Sequence, residues 1–351
     1  MVGSPAERAR LDPERPAERR PLRVALFGSP GFAVPSLERL QVEHELLLVV
    51  TQPDKPAGRG LATRSPAAAA WAREHGFALA QPARLARDEA FLERLAALEL
   101  DVAVTAAYGK ILPERLLAIP RHGFLNVHAS LLPKYRGAAP VQWALIEGES
   151  ETGVSIMQTE AGLDTGPVRH VLRTLIGPEE DAAALTGRLA VLGAEALSQA
   201  LELLARGTLP CEPQDHSAAT LAPRLTRDDG RIRWRDPSAA VSARHRGVTP
   251  WPGSWFLRTA TVSEEAGPQG SISRVEAAAE TVKVHALREL PGSSPTGLEP
   301  GTVTEVAQRG VSVATGDGAV LLETLQSPGR PKLGAGEWAR GARLVAGERC
   351  G

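Results

Sequence analysis

Cysteine is scarce: Cys211 and Cys350 are the only two in 351 residues, far apart and outside any Cys-x-x-Cys spacing. A disulfide framework and a cysteine-built metal site are therefore excluded, and a cytoplasmic location is expected. No apolar run approaches the ~20 residues that span a bilayer, so no membrane partner is expected. An excess of either charge is missing too. The formal net charge of −1 argues against wholesale coating of nucleic acid and leaves room for a local basic patch. Several catalytic signatures are also lacking. Neither "GSP" (28–30) nor "TGP" (165–167) is a GxSxG nucleophile elbow, and "FGSPG" (27–31) fails the GxGxxG dinucleotide fingerprint. His122 and His128 lack the spacing and partners of a zinc site, so no metal is expected. No fixed-period repeat runs through either half.

The length exceeds what one core comfortably holds, and two domains are predicted. The runs "LRVALF" (22–27), "HELLLVVTQ" (44–52), "DVAVTAA" (101–107), "GFLNVHAS" (123–130) and "GVSIMQTE" (153–160) are nearly continuous apolar strands. Helix-like stretches at 88–98, 139–147 and about 181–206 separate or follow them. The alternation predicts a parallel sheet covered on both faces, a doubly wound α/β domain over 22–206. Residues 1–21, with arginines interleaved with acids and no apolar stretch, are expected to form a disordered extension rather than a signal or transit peptide. Residues 207–223 have the composition of a linker. Beyond them, short runs such as "SWFLRTATVS", "TVKVHAL" and "GVSVAT" between Gly/Pro turns predict a small β-barrel over 224–351.

Within "LNVHASLLPKYRG" (125–137), Asn126 and His128 stand two apart and share one face of a strand. They lie near its carboxyl end, where open α/β sheets bind ligands, and "ASLLP" offers a flat ligand backbone groups and an apolar wall. Asp164 sits between Gly162 and Gly166, directly after the run 153–160. An isolated Asn-x-His pair also suits a strand end satisfied by its neighbours, and an Asp between glycines suits a turn. What would set them apart is proximity: two strand ends of one parallel sheet can bring Asp164 to His128. A carboxylate there orients an imidazole and favours its charged form. With nucleophile and metal signatures missing, Asn, His and Asp suit a direct transfer between two bound substrates. The amide and imidazolium would hold an oxyanion while the carboxylate manages protons.

"LNVHASLLPKYRGAAPVQWAL" followed by "GVSIMQTEAGLDTGPV" resembles the 10-formyltetrahydrofolate-dependent formyltransferases. The likeness runs over roughly 22–345 through "VALFGSPGFAVPSL", "VVTQPDKPAGRG", "AAYGKILP", "DDGRIRW" and "GVTPWPGSW", and is closest to members acting on methionyl-initiator tRNA. It implies a Rossmann-like catalytic domain and an OB-like second domain that binds tRNA, with Asn126, His128 and Asp164 as the catalytic set. The formyl donor, 10-formyltetrahydrofolate, would lie against Ser130, Leu131, Leu132 and Pro133. Ile111 and Leu112 would wall the pteridine, although plain core is an equal reading for both. The loop "PDKPAGRGLATRSP" would reach the tRNA through Lys55, Arg59 and Arg64. Two departures stand out: "LATR" replaces the paired lysines usual after "GRG" and is one residue shorter than the family pattern, and Gly31 stands where an acid is common. Between 224 and 258, eight arginines face three aspartates, a local excess suited to tracking a phosphate backbone. The resemblance thus implies a monomeric enzyme of translation initiation. The alternative is a formyltransferase acting on an aminosugar nucleotide or another small amine.

Overall fold

The computed structural model describes residues 20–57, 62–259, 265–266, 272–273, 279–290, 292 and 297–351. The predicted extension lies almost wholly outside the described residues, and Arg59 lies outside them too.

The first domain runs β1 (Arg23–Gly28), α1 (Val34–Glu43), β2 (Glu45–Val50), β3 (Lys55–Ala57), β4 (Ala62–Arg64), α2 (Ala67–Glu74) and β5 (Leu79–Ala80). It continues with α3 (Glu89–Ala96), β6 (Val102–Ala106), α4 (Glu114–Leu117), β7 (Phe124–His128), β8 (Arg136–Gly137), α5 (Pro140–Ile146), β9 (Glu151–Gln158), β10 (Val168–Leu175) and α6 (Ala182–Ala205). Seven strands form one sheet in the order β10-β9-β7-β6-β1-β2-β5. Its central strands are apolar throughout because helices cover both faces: all five residues of β6 are buried, and Val24, Leu26, Val104 and Val127 join α1 and α6 in one cluster. Ala25, Phe27, Ala103 and Phe124 face α3 and α4 on the other side. The long helix α6 is capped by Asp181, whose carboxylate accepts the Ala184 N–H at 2.8 Å.

The sheet is not wholly parallel. β5, β2, β1, β6 and β7 are, but β9 pairs antiparallel with β7, placing Gln158 opposite Leu125 and Ser155 opposite His128, and β10 turns back on β9. Six consecutive residues of β9 are buried, so its apolar run is the same whichever way the strand points. The 22 residues between β7 and β9, which include β8 and α5, are long enough for either direction, so neither connection length nor apolar pattern reports the reversal. The carboxyl end of β9 therefore lies beside the start of β7, not beside its end.

The segment after α6 crosses the first domain rather than hanging free. Glu212 bridges Val168, and β11 (Leu221–Ala222) pairs in parallel with β8. The second domain comprises α7 (Ser238–Val248), β12 (Ser254–Thr259), β13 (Glu265–Ala266), β14 (Ile272–Ser273), β15 (Ala279–Leu290), β16 (Val303–Ala307), β17 (Gly310–Ala314), β18 (Ala319–Gln326), β19 (Leu333–Gly334) and α8 (Ala335–Ala342). Its antiparallel sheet has the order β12-β15-β18-β17-β16, with β19 on β18 and β13–β14 as a separate pair. Arg349 and Cys350 then bridge Thr302 and Arg258, tying the two edge strands together and closing the sheet in the manner of a barrel. Trp234, Phe256, Val282, Val313 and Trp338 fill it. The domains meet where α5 packs on α7, around Ala139, Ile146, Leu225 and Val248. Gly247 makes this approach feasible, since a Cβ there would lie 2.6 Å from Ile146 Cγ1.

Candidate active site

Asn126 stands at the middle and His128 at the carboxyl end of β7, and the structure brings Asp164 to His128. The Thr105 hydroxyl, on the neighbouring β6, donates to Asn126 Oδ1 at 2.8 Å. That fixes the carbonyl end of the amide against the sheet and leaves Nδ2, a two-hydrogen donor, without a protein partner among the described residues. His128 is 5% exposed. Its Nε2 donates to the Tyr135 carbonyl at 3.0 Å, and because a carbonyl only accepts, Nε2 carries the hydrogen. Nδ1 then faces Asp164 Oδ2 across 3.7 Å.

Asp164 arrives by a different route from the one the sequence suggested. As β9 is reversed, the loop 159–167 doubles back along β7 to reach His128. The Gln158 N–H closes the loop onto the Pro167 carbonyl, and Gly166 passes so near the Gln158 carbonyl that a Cβ would lie 2.0 Å from its oxygen. Asp164 has φ 50°, and its Oδ2 accepts the Gly137 N–H at 2.9 Å. The partner loop is braced in turn. The Tyr135 hydroxyl donates to Glu149 Oε1 at 2.7 Å, and Lys134 Nζ reaches the same oxygen at 2.9 Å. Burial, then the Glu149 carboxylate, push the Tyr135 phenol well above its usual range, so it stays a neutral donor. The Lys134 ammonium holds Glu149 below the usual carboxylate range.

The residues assigned to the folate divide into two groups. Leu131, Leu132 and Pro133 are half-buried beside the site, whereas Ser130 is fully buried and engaged internally: its hydroxyl donates to the Lys134 carbonyl and its own carbonyl accepts from Ser155 Oγ. Leu112 packs into the core near Leu116, while Ile111 is 87% exposed at a cleft of about 370 Å³ also lined by Arg84, Leu85, Arg87, Lys110 and Pro113. Leu163, next to Asp164, is 64% exposed. Apolar side chains left in the open beside polar donors suit a flat heteroaromatic ligand. Among the described residues no group of three His, Cys, Asp or Glu could hold a metal ion.

The basic loop is a hairpin at its base: β3 pairs with β4, and Lys55 stands directly opposite Arg64, both exposed. Asp54 anchors it, accepting from Gln81, Ser65 and Arg73. Of the eight arginines in 224–258, Arg224, Arg227, Arg231, Arg233 and Arg235 are exposed, but Arg258 is buried in the barrel beside Glu280 and Glu348. Thr105, Arg136 and Gln214 escaped the sequence reading. Thr105 had one signal, a lone hydroxyl in the apolar run "VAVTA".

The formyl transferase family model matches residues 22–201, and the model of the formyl transferase C-terminal domain matches 224–343. A methionyl-tRNA formyltransferase of Thermus thermophilus is 47% identical over 330 residues, covering 94% of this chain and 99% of that protein. Another, from Deinococcus radiodurans, is 44% identical over 327 residues, 93% of this chain and 95% of that one. Among solved structures, an N-formyltransferase of Helicobacter canadensis in complex with folinic acid and dTDP-3-aminofucose superposes with a TM-score of 0.60 at 15% identity, covering 87% of this chain and 99% of that chain. With both domains matched in order and relatives nearly half identical along almost their whole length, this chain belongs to the formyl transferase family.

Proposed function

We propose that the chain transfers the formyl group of 10-formyltetrahydrofolate to the amino group of methionyl-initiator tRNA, with Asn126, His128 and Asp164 as the reacting-site groups. The observation that carries this reading is the orientation of Asn126 beside the His128–Asp164 pair: a free amide donor, a singly committed imidazole and a carboxylate. The relatives named as methionyl-tRNA formyltransferases along nearly their full length support the choice of acceptor.

In this reaction the methionyl amine attacks the formyl carbon. A C–N bond forms, the carbonyl oxygen becomes an oxyanion, and collapse breaks the bond to N10 of the folate, which takes the proton the amine gives up. Asn126 Nδ2–H donates to the developing oxyanion. Charge on His128 adds to that stabilisation, with Nε2–H kept on the Tyr135 carbonyl and Nδ1 turned to Asp164. The 3.7 Å separation is longer than a hydrogen bond and of the kind that tightens once substrate is bound. Asp164, held by the Gly137 N–H, receives the amine proton directly or through water and passes it on to the departing N10. Leu131, Leu132, Pro133, Ile111 and Leu163 would hold the folate, with the Ser130 contribution confined to shaping the loop. Lys55, Arg59, Arg64 and the exposed arginines of 224–235 would contact the tRNA backbone, whose affinity is dominated by phosphate neutralisation.

The test offers the enzyme 10-formyltetrahydrofolate with either methionyl-tRNA or an aminosugar nucleotide. Formylation of methionyl-tRNA is expected. Transfer to the sugar amine with none to methionyl-tRNA would establish the small-amine alternative instead.

A further inference from the structure

The segment joining the two domains supplies a residue to the site from fifty positions away. Gln214 is 8% exposed, and both ends of its amide are engaged. Its Nε2 donates to the carbonyls of Asp164 at 2.9 Å and Gly166 at 2.6 Å; its Oε1 accepts from Arg136 Nε at 3.1 Å and Nη2 at 2.7 Å. Carbonyls only accept and a guanidinium only donates, so the amide cannot turn over without losing all four bonds. The groups it holds belong to the two loops that converge on His128. Arg136 follows Tyr135, whose carbonyl receives His128 Nε2, and precedes Gly137, whose N–H holds the Asp164 carboxylate. Asp164 has a left-handed φ of 50°, which Asp adopts more readily than most non-glycine residues, and Gln214 grips the carbonyl of that same residue. Arg136 is itself buried; its guanidinium also bonds His216 Nδ1 at 3.0 Å, and its backbone N–H donates to the Thr220 carbonyl at 2.8 Å, both in the same segment. Both loops are thus pinned from one strip of chain, which also pairs β11 with β8 and gives the Tyr135 N–H its acceptor, the Thr220 hydroxyl.

We propose that Gln214 is a positioning residue for formyl transfer: by tying the Asp164–Gly166 backbone to Arg136 it fixes where the Asp164 carboxylate stands against His128. This rests on the reading of Asn126, His128 and Asp164 as the reacting groups. Gln214 touches no substrate; it acts through Asp164.

Three variants separate the alternatives in steady-state formylation of methionyl-tRNA, with denaturant unfolding alongside. Gln214→Met removes all four bonds at similar volume. Gln214→Glu keeps an acceptor for Arg136, now as an ion pair, but replaces both donors to the loop with a carboxylate oxygen facing the Asp164 and Gly166 carbonyls. Asp164→Asn tests the underlying reading. Misplacement of a reacting group by about 1 Å costs on the order of 10²-fold, so Met and Glu are each expected to lower kcat by about 10–100-fold, with KM for both substrates within about twofold of wild type. Wild-type kcat in Gln214→Met, with only a lowered unfolding midpoint, would reduce Gln214 to a brace of the fold. Restored kcat in Gln214→Glu would show that the hold on Arg136 matters and the hold on Asp164 does not. Should the Met variant fail to fold, the Glu variant decides alone. A slow Asp164→Asn beside a fast Gln214→Met overturns this proposal and spares the catalytic reading; an unimpaired Asp164→Asn overturns both.

Discussion

Thr105→Val is the sharpest probe of how the amide of Asn126 is aimed. The side chains are nearly isosteric and Thr105 is 7% exposed, so no cavity opens. The change removes one hydrogen bond, 2.8 Å long, and leaves Asn126 Oδ1 without that donor. Asn126 is half-buried, so the unpaired acceptor costs up to about 1–3 kcal/mol, which the amide recovers by turning toward another donor. Turning takes Nδ2 away from the oxyanion. Complete loss of such a donor costs roughly 10²–10³ in rate, as Asn126→Ala should show, and loss of its aim alone should cost about 10–100-fold in kcat. Both KM values should stay within about twofold, because the interaction matters in the transition state rather than in binding. Thr105→Ser keeps the hydroxyl and should recover most of the rate. Steady-state formylation with each substrate varied in turn gives these constants. The two changes act on one group, so adding Thr105→Val to Asn126→Ala should cost little more. Undiminished kcat in the single variant, or fully additive losses in the double, would refute the claim that Thr105 works through Asn126.

Two other expectations concern stability and the acceptor. His245 is buried, with Nδ1 2.9 Å from Ser254 Oγ, and burial lowers its pKa to about 4. With an unfolded value near 6.5, the unfolded chain binds the proton first, so stability is fully present above that value and falls as pH drops toward 4. About 2 kcal/mol should go between pH 7 and pH 5, read by urea unfolding, and the slope should flatten by that amount in His245→Gln; an unaltered slope would contradict it. Replacing Lys55 and Arg64 with alanine should raise KM for methionyl-tRNA and reduce the slope of its logarithm against log salt by up to about 2, leaving KM for the folate alone. An unchanged salt slope would take the hairpin out of the tRNA surface.

Much of this was legible in the sequence because it follows a period. The near-continuous apolar runs gave the doubly wound domain, and the spacing of Asn126 and His128 put both on one strand face. The approach of Asp164 was expected, but by the wrong route, since a strand buried on both faces reads alike in either direction and β9 runs backward. Gln214 was invisible for another reason: it lies in a stretch whose composition reads as a linker, and a contact between two loops has no period to betray it. Arg258 could have been caught. It shares the inward face of β12 with Ser254 and Phe256, and a period-two reading would have removed it from the basic surface. Barrel closure through Arg349 and Cys350 rests on two isolated bridges, too short to leave a pattern.

The most direct measurement is single-turnover formyl transfer to methionyl-tRNA by His128→Ala, with 10-formyltetrahydrofolate binding measured on the same preparation. The rate should fall by about 10²–10⁴ while folate affinity stays within about twofold of wild type. Transfer at close to the wild-type rate by a variant that binds folate normally would contradict the assignment of His128, and with it the chemistry proposed for this site.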